Sequence, residues 1–91
     1  MLPQFKGLTL IPSRSASDEL IELGITIEDA LEILNEGYDC SRSKRKKNKL
    51  ERCRDKKGKT IKAVAARVYY FSLDEEVWVL THVGQYSMKK R

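Results

Sequence analysis

The chain has 91 residues, of which 41% are hydrophobic and 34% charged, with a net charge of +5. That length supports one core and a single domain, 1–91. No run of eighteen apolar residues occurs, which argues against a membrane-spanning helix, and Met1–Lys6 lacks the pattern of a secretory signal, so a cytoplasmic protein with no membrane partner is expected.

Phe5–Ile11 is short and rich in apolar residues and reads as a first strand stopped by Pro12. Ser13 or Ser15 can cap a first helix, with Asp18 as a box partner for Ser15. Ala16, Leu20 and Leu23 give that helix one apolar face, and Gly24 ends it. The second helix has the clearest local signal. Thr26 is its N-cap with Asp29 as the reciprocal partner, Ile27, Ala30, Leu31 and Leu34 share a face, and Gly37 is the stop. Tyr38–Arg42 and Lys49–Arg54 can form a hairpin around a basic loop, Lys44–Asn48. Asp55–Lys59 is a turn with Gly58 at its positive-φ position, and Thr60–Phe71 is a long strand apolar on both sides, hence central. Ser72–Glu76 is an acidic turn, Val77–Val83 pairs back as another central strand, Gly84 closes it, and 85–91 is a short basic tail.

This order predicts an α+β domain: two N-terminal helices packed on an antiparallel sheet of four to five strands. The face of the sheet away from the helices is also apolar, which points to a homodimer as its cover.

The block Gly24-Ile25-Thr26-Ile27-Glu28-Asp29-Ala30 with Leu31–Gly37, and the closing strand Val77-Trp78-Val79-Leu80-Thr81-His82-Val83, resemble small prokaryotic proteins related to BrnT toxins, in the RelE-like superfamily of ribonuclease toxins. The resemblance spans roughly residues 8–83. It implies a RelE/BrnT-like fold, RNA as substrate and an acidic antitoxin-like protein as partner. Two positions depart from the family pattern. Ser13 or Ser15 stands near the place of a histidine at the start of the first helix, and Leu23 near that of an arginine at its end. The resemblance therefore speaks more for the fold than for nuclease chemistry.

Segment 42–62 holds twelve Lys or Arg against two acids, while 13–39 holds one Arg against eight acids. Such asymmetry within one domain marks an oriented electrostatic surface. Arg42, Lys44, Arg45, Lys46, Lys47, Lys49, Arg52, Arg54, Lys56 and Lys57 are the candidate nucleic-acid contacts, because cations at this density displace counterions from phosphates. The plainer reading is a solvated hairpin that protects a sheet edge, or one that docks an acidic partner.

His82 is the only histidine, and on a late strand it could serve as acid or base toward a ribose hydroxyl, with Arg67 steadying phosphate charge and Tyr86 just beyond. No partner acid for it is visible, so a structural histidine beside the core is the competing reading. In the predicted hairpin, Cys40 faces Cys53 and Arg42 faces Glu51, close enough for a disulfide; two free thiols are the alternative. High Lys and Glu with two Met and two Cys is also the composition of thermophile proteins, in which an intracellular disulfide is at home. Two Cys and one His do not make a zinc site, no glycine-rich phosphate loop is visible, and neither a metal nor a cofactor is expected. Together these features point to an RNA-binding protein, with a metal-independent ribonuclease toxin as its sharper form, or to a non-catalytic interaction module.

Overall fold

In the computed structural model, residues 2–40 and 48–87 are described. In chain order the elements are β1 (Gln4–Phe5), β2 (Leu8–Pro12), α1 (Arg14–Leu23), α2 (Ile27–Glu36), β3 (Tyr38–Asp39), β4 (Lys49–Lys56), β5 (Lys59–Tyr70) and β6 (Glu75–Ser87). The α+β class with two helices stands. The sheet has six strands rather than four or five, in the order β1-β2-β6-β5-β4-β3, and it is mixed rather than antiparallel.

The extra strand arises because the first segment folds on itself. Lys6 and Gly7 both have positive φ, 52° and 82°, and make a two-residue turn that lays β1 antiparallel to β2. The mixed character comes from β2, which runs parallel to β6 with Leu10 beside Trp78 and Pro12 beside Leu80. Parallel neighbours need a long crossover, and here it is both helices and three strands.

Ser13, not Ser15, caps α1: its Oγ accepts from Ala16 N at 3.1 Å. Gly24 ends α1 with φ 70°. Thr26 and Asp29 form the reciprocal capping box of α2, at 2.9 and 3.2 Å. The helices set Ala16, Leu20, Ala30, Ile33 and Leu34 on Leu10, Ala63, Ala65, Trp78, Leu80 and Val83. Alanines at four of these places, all fully buried, let helix and sheet backbones approach closely. Phe5 meets Trp78 edge-on at 5.2 Å, which is how the small β1 joins the core.

Gly84 does not end the last strand. β6 runs through it to Ser87, because Lys59–Lys62 of β5 pair with Gly84–Ser87. Residues 85–87 are therefore strand, not tail. Within β6 the register slips: Ala65 faces Leu80 and Val64 faces His82, leaving Thr81 as a bulge whose Oγ1 donates to Val64 O at 3.3 Å. The bulge inverts the alternation, so Trp78, Leu80 and Val83 all reach the core. The turn between β5 and β6 is also shorter than the predicted acidic turn, since Glu75 and Glu76 already belong to β6.

Cys40 and Cys53 are joined as a disulfide with Cα atoms 5.6 Å apart. The register differs from the predicted one by two residues: Tyr38, not Cys40, faces Cys53, and Asp39 faces Arg52. At Gly37 a Cβ would lie 2.5 Å from Ile33 O and 2.6 Å from Cys53 O, so the end of α2 presses directly on the backbone of Cys53. The face away from the helices needs less cover than expected, because Val64 and Val77 are buried within the chain itself. The exposed apolar residues of this region gather instead at the end of the β5–β6 hairpin.

Candidate active site and basic surface

β2 stops beside Leu80, so beyond that point β6 has an open edge on the side of α1. Glu19 of α1 fills it. Its Oε1 accepts from Val83 N at 2.8 Å, and its Oε2 lies 3.0 Å from His82 Nδ1. The lone histidine therefore has a partner acid, contrary to the sequence reading. Because a carboxylate accepts, Nδ1 is assigned the proton, and Nε2 is left as an acceptor. The His82 side chain is 44% exposed, so this nitrogen is open to a ligand.

After the bulge, His82, Gly84 and Tyr86 follow one another on the same face of β6. The bare backbone of Gly84 lets the two side chains close in over the strand there. A methyl group built on it would sit 3.0 Å from His82 Nε2 and 3.5 Å from Tyr86 Oη. Both polar atoms thus converge above Gly84, beside a small notch in the strand. Lys62 faces Gly84 across the ladder, and its Nζ is held 3.1 Å from Glu51 Oε1 in a half-buried pair. A histidine and a tyrosine over a bare glycine can exchange protons with a group bound beside them.

Arg67 is not part of this arrangement. It faces Trp78, three residues from Val64 along β5 and on the opposite side of the sheet from His82, and its guanidinium meets Asn48 Oδ1 at 3.4 Å.

Next to the notch the sheet carries a second polar row. Asp55 Oδ1 accepts from Tyr38 Oη at 2.9 Å and from Thr60 Oγ1 at 2.8 Å, and Thr60 faces Tyr86. The hydrogen bond to Asp55 raises the Tyr38 pKa above its ordinary value, aided by desolvation and the Asp55 charge.

Among the described residues, the cations of the basic segment lie along β4 and around the turn that follows it. Arg54 is tied to Glu32 of α2 at 2.6 Å. Lys49 is exposed and Arg52 half-buried near the middle of the sheet. Lys56, Lys57 and Lys59 are exposed around the Lys57-Gly58 turn, which shares its positive-φ pattern, 50° and 79°, with Lys6-Gly7. Lys56 and Lys59 face each other directly, a like-charge pair that weakens the hairpin unless an anion offsets it. This turn is at the Tyr86 end of the sheet, since Lys59 faces Ser87. Arg42, Lys44, Arg45, Lys46 and Lys47 lie outside the described residues. Sequence reasoning missed Glu19 and Lys62. Gly84 was visible as a glycine amid strand residues, a sign of a close approach rather than of a strand end.

No helix among the described residues is long and apolar enough to cross a membrane. No family model, curated protein or solved structure matches this chain.

Proposed function

We propose that the protein binds RNA at the lysine-rich end of its sheet and cleaves it in the notch at Gly84, as a metal-independent ribonuclease. The observation that carries this reading is the convergence of His82 Nε2 and Tyr86 Oη on Gly84, with His82 fixed by Glu19. His82 Nε2 takes the proton of a ribose 2′-hydroxyl. The 2′-oxygen then attacks the adjacent phosphorus, giving a 2′,3′-cyclic phosphate. The bond to the 5′-oxygen breaks, and Tyr86 supplies the proton that the leaving oxygen needs. Glu19 stabilises the imidazolium. Lys56, Lys57 and Lys59 hold the flanking phosphates.

RNA as the substrate is also what the sequence resemblance to RelE/BrnT toxins implies. An acidic antitoxin-like protein that covers the lysines would silence the activity.

The test is cleavage of an end-labelled single-stranded RNA in excess EDTA. A cyclic-phosphate product is expected, with a loss of at least about a hundredfold in His82→Ala. Gly84→Ala is expected to retain RNA affinity and lose cleavage, because its methyl group occupies the notch. Intact RNA with the wild-type chain, or equal cleavage by His82→Ala, sinks the catalytic half of the proposal. RNA affinity is read separately, by titration.

A further inference from the structure

Beside the notch, a row of polar and aromatic side chains crosses the helix-free face of the sheet. Arg54 reaches Glu32 of α2, so Asp55, the next residue of β4, points away from the helices. Thr60 faces Asp55 across one ladder and Tyr86 across the next, so these three side chains share that face. Tyr38 joins them from β3 through its hydroxyl, which donates to Asp55 Oδ1.

A ring bounds the row at each end, and both present an open surface: Tyr38 is 50% and Tyr86 47% exposed. Tyr38 is held at two points. Its backbone pairs with Cys53, which carries the disulfide to Cys40, and its hydroxyl is fixed on Asp55. A ring fixed in place with its surface open loses little freedom when a planar group stacks on it. Between the rings lies a carboxylate. Asp55 Oδ1 already accepts from Tyr38 and Thr60. An ionised carboxylate has about four acceptor positions, so capacity for a further donor remains, chiefly on Oδ2. A phosphate is repelled there, whereas a planar base that presents N–H donors is held.

We infer that Tyr38, Asp55 and Thr60 form the subsite for the base of the nucleotide on the 3′ side of the cleaved bond, and that they select a base carrying an amino group. The inference rests on the ribonuclease reading of the notch at Gly84, which sets where the strand lies. Tyr86 serves the 5′-oxygen that leaves with this nucleotide. Asp55 is two strand spacings from Tyr86, about 10 Å, a span that one nucleotide bridges. Tyr38 stacks on the base, Asp55 accepts from its amino group, and Thr60 holds the carboxylate in place. Lys56 and Lys57, next in the chain, meet the following phosphate. Cytosine, adenine and guanine all offer an amino group. Uracil offers one N–H between two carbonyl oxygens, which the carboxylate repels.

The test uses the full chain and short single-stranded 2′-deoxy oligonucleotides, which lack the attacking hydroxyl and stay intact. Each is an all-uracil strand with one central cytosine, adenine or guanine, or with none. The wild type should bind the strands with an amino base at least about fivefold more tightly than the all-uracil strand. Tyr38→Ala should weaken binding of every strand about tenfold, and Tyr38→Phe much less, because the ring remains. Asp55→Asn still accepts from Tyr38 and Thr60 through its amide oxygen but turns a donor toward the base, so the preference should vanish or pass to uracil. Melting temperatures of the three variants confirm that they fold. Equal wild-type affinity for all strands, or a preference that survives Asp55→Asn, overturns the inference. Cleavage of a mixed-sequence, end-labelled RNA then gives the position. Cuts should fall mainly on the 5′ side of amino bases, and cuts indifferent to that base overturn the placement. RNA left intact sinks the chemistry of the notch and the placement beside a cleaved bond, while the preference on the 2′-deoxy strands still decides the base subsite.

Discussion

Glu19 and His82 are 63 residues apart in the chain, and their contact depends on where β2 happens to stop. Nothing local marks Glu19 among the other acids of the helices, which is why the histidine looked unpartnered. Lys62 was hidden for the same reason: its place beside Gly84 follows from the ladder of β5 with β6, which depends on a bulge at Thr81. By contrast His82 was legible as a residue of the last strand, while Tyr86 was read as tail because Gly84 looked like that strand's end. Tyr38 allows a test at this scale. Its hydrogen bond to Asp55 exists only in the protonated form, so the folded-state pKa is raised above the ordinary value near 10.0. The linkage has a definite sign. Stability from this bond is fully present below the unfolded-state pKa and is lost as pH rises through the folded-state value. Tyr38 is exposed, so the effect on stability is small and the titration itself is the better readout. The Tyr38 ring followed by NMR should titrate above the ordinary phenol range, and Asp55→Asn should lower its midpoint. A midpoint unmoved by Asp55→Asn removes the hydrogen bond as the cause.

Elements defined by neighbours three or four residues apart were readable in advance. The capping box of α2 needs only Thr26 and Asp29, and the stripe Ile27, Ala30, Leu31, Leu34 needs only helical spacing. Turns were harder. Lys57-Gly58 was anticipated, yet the same dipeptide at Lys6-Gly7 was read through as strand, because apolar residues flank it on both sides. Gly37 and Gly24 both end helices, for different physical reasons. Gly24 has φ 70° and open space around a hypothetical Cβ. Gly37 has φ −74°, which any residue adopts, but its Cβ would strike two backbone oxygens. Gly24→Ala should therefore cost about 1 kcal/mol, from the left-handed backbone alone. Gly37→Ala should cost more, up to about 3 kcal/mol, since α2 must move away from β4. Chemical denaturation of both variants ranks them. Equal losses would mean that the α2–β4 junction yields more easily than its geometry implies. The bond between Cys40 and Cys53 sits at the same junction, so the ranking should be measured in the oxidised protein.

For the whole molecule, the α+β class followed from element order, while the parallel seat of β2 did not. Pattern tells which residues are buried, but not which of two central strands a lone N-terminal strand will choose. That choice was made by packing: α1 has to return over β6 to bury Ala16 and Leu20, and Ser13 N bonds Leu80 O at 2.9 Å as the chain leaves the sheet. The charge asymmetry was legible as a sum but not as a place. Arg54 is spent on Glu32 and Lys62 on Glu51, and the described cations that remain most exposed at the notch end are Lys56, Lys57 and Lys59. This makes the electrostatic part of the functional proposal quantitative. Each lysine that neutralises a phosphate of a single strand contributes about 0.7 to the slope of log affinity against log salt. Replacing Lys56, Lys57 and Lys59 together by alanine should flatten that slope by about 2, while His82→Ala leaves it unchanged. RNA titrations at four or five salt concentrations separate the cases. A slope unaltered by the triple replacement would place the phosphate contacts elsewhere on the chain, and the notch at Gly84 would then lose its neighbouring anchor for the strand it is proposed to cut.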